Sequence, residues 1–363
     1  MQWRWIWFGL LVFALWACEK DSSPPTAPSN NQPETQELVR ALDLSYLPEI
    51  EAANVNFLDE GGNPVQLLAY CQERGVNTIR VRLWHTPATA HSGWQEVEAF
   101  SRRIHEAGLQ LWITLHYSDT WADPNNQQVP QAWQGLDFAT LKDRVYEYTQ
   151  RVVATMQPEW LQIGNEINPG FMWPYGNYPA EQEQFVALIA EASRAIRATS
   201  DQTQIMLHSA GHAEADFLLQ TLQAVDYDCM GISYYPKWHG KDLAQLATNL
   251  QNLHQKYQKP IMIAETAYPF SLGWNDWTNN ILGWESDLHP DYPASPQGQL
   301  DFLLGVRSTV ESLGSEVGMG YCYWGGEWVA YKGPQATNGS TWENQALFDF
   351  DLKALPVWAA FQP

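Results

Sequence analysis

The sequence predicts an α/β fold, a single (β/α)8 TIM barrel, and three observations lead there. Eight short apolar runs recur along the chain, and stretches of helical period lie between them. The segments after several runs are long and rich in Trp, Asp, Asn, Gly and Pro, while most returns from helix to strand are short. That asymmetry suits a barrel whose site lies on one face. The chain has 363 residues, and removing its leading segments leaves a length that fits one large barrel better than two small domains.

The runs expected as strands cover residues 41–45, 78–84, 111–116, 160–163, 204–208, 230–234, 261–263 and 317–324. Each is short, dominated by Leu, Ile, Val, Met or aromatic residues, and bounded by turn formers, as buried parallel strands are. Between them, residues 65–74, 97–107, 141–156, 183–198, 213–224, 243–257 and 297–313 carry apolar side chains at three- and four-residue spacing. Gly75 and Gly108 follow two of these helices, where a left-handed cap is expected.

The first 17 residues hold one basic residue, Arg4, and then an apolar run from Trp5 to Ala17. The run is too short for a permanent membrane span and reads as a signal peptide. It ends Leu15-Trp16-Ala17-Cys18, which resembles a bacterial lipobox, so Cys18 is the expected lipidation site. Residues 18–37 are rich in Ser, Pro, Asn, Gln and Thr and read as a tether, leaving 38–363 as the barrel. The short Cys18-Glu19-Lys20-Asp21 start resembles surface-export signals of Bacteroidetes lipoproteins. The expected location is therefore outside the cytoplasm, anchored by lipid to a bacterial membrane, the outer membrane or cell surface.

The net charge is −21. Such a surface repels phosphate backbones, which excludes nucleic acid as an expected partner, and it disfavours strongly anionic substrates. The 19 Trp residues suit a sugar ligand, whose C–H faces stack on indole, and also fill cores. Cys71, Cys229 and Cys322 have neither zinc-ligand nor redox spacing and are expected as buried free thiols. No P-loop, dinucleotide fingerprint, Cys/His cluster or Gly-x-Ser-x-Gly elbow occurs. No cofactor is expected, although Asp276, Asp287 and Asp291 with nearby amides offer a calcium site in the seventh loop.

Two carboxylates carry the chemistry. Glu166 follows the fourth run and Glu265 the seventh, and in a parallel barrel groups at strand ends converge on one cleft. Glycoside hydrolysis with retention needs such a pair, one as nucleophile and one as general acid/base. Glu265 is the expected nucleophile and Glu166 the acid/base, its proton retained by the nearby negative charge. Asn165 is placed to donate to a sugar 2-hydroxyl. Arg80 and Arg82 share one face of the second strand, pointing into the barrel, where one or both would pair with Glu265. His116, Tyr234 and Trp324 end the third, sixth and eighth runs, as a substrate hydrogen bond, a hydroxyl on the nucleophile and a pocket floor. Asp119, Trp84 and Trp238 are further substrate-binding candidates, and Trp121, Trp173 and Trp328 are candidate sugar platforms.

The runs Ala41-Leu42-Asp43-Leu44-Ser45-Tyr46, Arg80-Val81-Arg82-Leu83-Trp84 and His116-Tyr117-Ser118-Asp119-Thr120-Trp121-Ala122-Asp123-Pro124 resemble glycoside hydrolase family 53. So do Gly164-Asn165-Glu166, Ser233-Tyr234-Tyr235-Pro236-Lys237-Trp238, Glu265-Thr266-Ala267-Tyr268-Pro269 and Trp342-Glu343-Asn344-Gln345. The resemblance covers nearly everything from Ala41 onward. It implies arabinogalactan endo-β-1,4-galactanase activity on pectin side chains, by retaining double displacement with the acid/base at Glu166 and the nucleophile at Glu265. Some members bind calcium in the seventh loop through an acidic repeat that this sequence lacks. The residues alone also allow a related β-glycanase acting on mannan, xylan or β-glucan, a non-hydrolytic galactan-binding lipoprotein, or a structural surface protein.

Overall fold

The structure is a computed structural model and describes residues 37–363. The expected signal peptide, Cys18 and all but the last residue of the tether lie outside the described residues. Eight parallel strands form a closed barrel: β1 (Val39–Asp43), β2 (Thr78–Leu83), β3 (Gln110–Leu115), β4 (Trp160–Ile163), β5 (Gln204–Ser209), β6 (Cys229–Ser233), β7 (Ile261–Thr266) and β8 (Gly318–Tyr323). They pair in chain order, and β1 closes the barrel against β8. All eight expected strands are present. The seventh runs further than its apolar residues suggest, because Glu265 and Thr266 continue the ladder with polar side chains.

The seven expected helices are Leu67–Glu73, Trp94–Glu106, Phe138–Met156, Gln182–Thr199, Ala215–Thr221, Leu243–Tyr257 and Pro296–Ser312. Two short ones, Leu47–Ala52 after β1 and Pro236–His239 after β6, have too few turns to show a period. Asp137, Asp242 and Ser295 accept backbone N–H groups at the starts of three long helices, using donors the helix itself leaves free. Gly75 and Gly108 take φ of +91° and +71°, as their cap positions require.

Alternation divides each strand between two cores. Leu, Ile and Val side chains of the outward face pack under the helices. Inside the barrel lies a smaller cluster that includes Ala41, Trp112, Trp160, Met206, Met262 and Ala264. Cys71, Cys229 and Cys322 are buried and free. Above the inner cluster the inward positions turn polar: Asp43, Arg80, Gln162, His208 and Ser233 are all buried. That change marks the end of the barrel where the site is built.

Candidate active site

The barrel mouth opens into a cleft of about 550 Å³, whose lining includes Glu166, Glu265, Asn165, Arg80, Tyr235 and Trp324. Strict alternation would not put Glu265 there. Met262 and Ala264 face inward and Ile261 and Ile263 outward, so residue 265 belongs to the outer face. The ladder solves this with a bulge. Ile232 pairs with Ile263 but Ser233 pairs with Glu265, and on the other side Tyr321 pairs with Ile263 but Tyr323 with Thr266. The extra residue re-aims the carboxylate into the mouth.

Glu166 reaches the cleft by a different device. Gly164 has φ +72° and Glu166 φ +48°, a left-handed turn directly after β4. A Cβ on Gly164 would lie 2.5 Å from Ile167 Cγ2, so the turn has room only for glycine.

Arg80 organises the base of the site. Its Nη2 donates to Glu265 Oε1 at 2.7 Å and to Asn165 Oδ1 at 3.0 Å, and its Nη1 to Asp43 Oδ2 at 2.9 Å. Asn165 Nδ2 donates to Ala122 O at 2.9 Å, which leaves its second amide hydrogen for a ligand. Arg82 points the same way as Arg80 but meets no carboxylate within ion-pair distance among the described residues. Its guanidinium lies 4.0 Å from the Trp121 ring centroid, 4.6 Å from Trp84 and 4.9 Å from Tyr46. It holds an aromatic wall instead of Glu265.

The hydroxyl on Glu265 is that of Tyr235, which donates to Oε2 at 3.1 Å. Tyr234, the residue expected in this role, points outward, stacked on Phe302, and its hydroxyl has no partner among the described residues. Counting alternation from Cys229, which faces inward, places Ser233 and Tyr235 on the inner side. The sequence therefore holds the signal, and the end of the apolar run is the wrong place to start the count.

His116 lines the cleft, with Nδ1 accepting from Ala122 N at 3.1 Å and Trp84 Nε1 at 3.3 Å. Two donors on Nδ1 put the hydrogen on Nε2, ready for a ligand oxygen. Burial, with Arg82 and Arg80 nearby, holds this imidazole well below its usual pKa and therefore neutral. Trp324 and Trp238 line the cleft as expected, and Trp121 and Trp342 join them. Trp342 meets Trp324 edge-on at 4.8 Å.

Several candidates lie elsewhere. Trp84 is buried behind the wall, edge-on to Trp121. Asp119 accepts from Thr86 N and Gln131 N and ties two loops together outside the cleft. Trp328 stacks on Tyr46, and Trp173 donates to Pro169 O. Asp276 binds the N–H groups of Thr278 and Ser340, Asp287 pairs with Lys237, and Asp291 lies beside His289. Among the described residues no three acidic, His or Cys side chains gather as metal ligands.

The two glutamates differ in surroundings. Burial first, and the Glu265 charge second, push Glu166 up to about 8, so it holds its proton at neutral pH. Burial also raises Glu265, but the Arg80 guanidinium opposes it and Tyr235 donates to its charged form. One carboxyl is kept protonated and the other is held by a cation, the division of labour that acid and nucleophile require.

Residues 39–361 match the family description Glyco_hydro_53, glycosyl hydrolase family 53. The chain belongs to glycosyl hydrolase family 53. It is 35% identical over 342 residues to an arabinogalactan endo-β-1,4-galactanase of Cellvibrio japonicus, covering 88% of this chain and 89% of that one. Among solved structures, a family 53 catalytic domain from Ignisphaera aggregans superposes with a TM-score of 0.85 at 33% identity, covering 93% of this chain and 97% of that one. A structure from a study of two fungal β-1,4-galactanases gives 0.77 at 29% identity, covering 90% and 99%. This family 53 member is thus a glycoside hydrolase with a single (β/α)8 barrel.

Proposed function

We propose that this family 53 enzyme is an exported endo-β-1,4-galactanase that cleaves galactan or type I arabinogalactan by retaining double displacement. Glu265 is the nucleophile and Glu166 the acid/base. The observation that carries this reading is the Arg80–Glu265 ion pair in one cleft with Glu166, whose burial beside the Glu265 charge favours its protonated form. Galactan as substrate is supported by the names of the relatives, in Cellvibrio japonicus and the fungi.

In the first step Glu265 attacks the anomeric carbon while Glu166 gives its proton to the departing glycosidic oxygen. The bond to the leaving sugar breaks as the bond to the carboxylate forms. Loss of the Glu265 charge then lowers the proton affinity of Glu166, which takes a proton from water as that water displaces the carboxylate. Asn165 contributes an amide hydrogen to a ring hydroxyl, and its orientation is fixed by Arg80 and Ala122. Trp324 underlies the reacting sugar, and Trp238 extends the apolar surface toward the cleft edge. Contacts with remote sugars supply binding energy at the reacting centre, so long chains turn over faster than short ones.

The test uses the domain from Glu37 onward with linear β-1,4-galactan and Glu265→Ala as the blank. Short galacto-oligosaccharides from the wild type and none from the variant support the reading. Release from mannan, xylan or β-glucan but not galactan overturns the substrate, and binding without cleavage overturns the enzyme mechanism. The lipobox-like run before Cys18 and the polar tether support a lipid anchor that holds the barrel at a bacterial membrane surface.

A further inference from the structure

Behind Glu166 lies a chain of three wholly buried side chains that the reaction above does not use. Ser233 Oγ is 2.7 Å from Glu166 Oε1, His208 Nε2 is 3.0 Å from Ser233 Oγ, and Gln162 Nε2 is 2.8 Å from His208 Nδ1. The direction of these bonds follows from donors whose identity is fixed. The backbone N–H of Glu166 can only donate, and it lies 3.2 Å from His208 Nδ1. Nδ1 is therefore an acceptor. Gln162 agrees, because Arg80 Nη2 at 3.3 Å takes its carbonyl oxygen and turns its amide nitrogen to the same atom.

A neutral imidazole that accepts at Nδ1 carries its hydrogen at Nε2. That hydrogen goes to Ser233 Oγ. The one hydroxyl hydrogen of Ser233 is then left for Glu166 Oε1. A carboxylic acid has a single O–H, and Oε1 is occupied as an acceptor, so the acid proton sits on Oε2.

We propose that His208 and Ser233 are positioning residues, a one-way hydrogen-bond chain that ends on Glu166 Oε1 and keeps the transferable proton on Oε2. Oε2 has no protein partner among the described residues, and Glu166 lines the cleft. This inference rests on the reading of Glu166 as acid/base. In the first step the Oε2–H bond breaks as an O–H bond forms on the leaving sugar, and the carboxylate left behind keeps a charge-assisted bond from Ser233. In the second step Oε2 takes a proton from the attacking water. The chain passes no proton itself. The charged and titratable groups facing Glu166 are Glu265, Asp123, Arg80 and Tyr235, and those facing His208 are Arg80, His239 and His116. Burial and the Arg80 charge keep His208 neutral, which the directionality requires.

The experiment measures kcat/KM against pH for Ser233→Ala, Ser233→Thr, His208→Ala and the Ser233/His208 double alanine variant, with melting curves to establish that each folds. Two substrates are used, the polymer and an aryl glycoside whose leaving group needs no proton. Ser233→Ala should move the alkaline limb on polymer upward by about one pH unit, because a bond to the charged carboxylate is lost. It should lower the polymer rate by roughly tenfold and leave the aryl glycoside within about a factor of two. Ser233→Thr should restore the limb. His208→Ala should shift it the same way but add nothing in the Ser233→Ala background.

An unmoved limb with uniformly lower rates in folded Ser233→Ala, or additive shifts in the double variant, would overturn the proposal. Glu166→Ala separates the two readings. It should abolish the limb and recover aryl glycoside cleavage with azide. If it retains rate and limb, the reading of Glu166 falls and the positioning chain with it. If it behaves as expected and Ser233→Ala moves nothing, only the positioning chain falls.

Discussion

Tyr235 and Tyr234 stand side by side in the sequence and face opposite sides of one strand end. Tyr235 donates to Glu265, while Tyr234 packs on Phe302 with a hydroxyl that has no partner among the described residues. Tyr235→Phe is expected to slow turnover by roughly 10- to 100-fold, on the order of 1.5–3 kcal/mol for a bond to a charged group. Tyr234→Phe is expected to leave turnover within about twofold and stability within about 1 kcal/mol. Steady-state kinetics on the two variants distinguish the assignments. Glu327, in the segment after β8, is fully buried; Oε1 accepts from Tyr46 N at 2.7 Å and Oε2 has no partner among the described residues. Burial, and then Asp43, push this carboxyl up to about 8. Its folded-state value lies above the usual unfolded one of about 4.3, so the folded chain holds a proton the unfolded chain has released. Its contribution is full below about pH 4 and is lost as pH rises toward 8. Glu327→Gln keeps the acceptor for Tyr46 N–H and should flatten the fall in Tm between those limits, with a gain on the order of 2 °C or more at pH 8. Melting curves at pH 5 and pH 8 check this, and an equal Tm difference at both would overturn it.

At the scale of elements, strand ends matter more than strand interiors. The bulge in β7 moves Glu265 from the outer to the inner face, and the left-handed turn after β4 carries Glu166 over the mouth. Gly164→Ala tests the second device. With φ at +72° and Ile167 Cγ2 2.5 Å from the added Cβ, the turn must shift. The expected cost is about 1–3 kcal/mol of stability, together with turnover slowed by roughly 100-fold or more because Glu166 loses its placement. Chemical denaturation and kinetics read the two effects separately, and unchanged turnover would show that the turn tolerates a side chain. The interiors, by contrast, are legible in the sequence, since β4 and the helix Leu243–Tyr257 have the bounds that apolar periodicity gives. Short helices such as Pro236–His239 are not, because one turn shows no period.

For the molecule as a whole, barrel closure assembles the site from β1, β2, β3, β4, β6, β7 and β8. Asp43, Arg80, Asn165 and Glu265 form one hydrogen-bonded group although they span most of the chain. The proposed anchor belongs at this scale too. Cys18→Ser in the full-length chain is expected to shift the protein from the membrane fraction to the soluble fraction, without change in specific activity. Fractionation with lipid labelling checks it, and retention of the variant in the membrane would overturn the anchor at Cys18.

Local pattern along the chain was enough to place the barrel, its helices, the two glutamates and the face on which the site lies. All of these follow from local period, turn chemistry and the rule that strand ends converge. Only closure of the barrel decided that Arg80 and not Arg82 meets Glu265, that Arg82 is enclosed by aromatic rings, and that Asp119 ties loops outside the cleft. It also decided that the buried groups Gln162, His208 and Ser233 form a hydrogen-bonded run that ends on Glu166. Partner choice depends on which side chains closure brings within about 3 Å of one another. A one-residue bulge is enough to change it, and no local pattern encodes that distance.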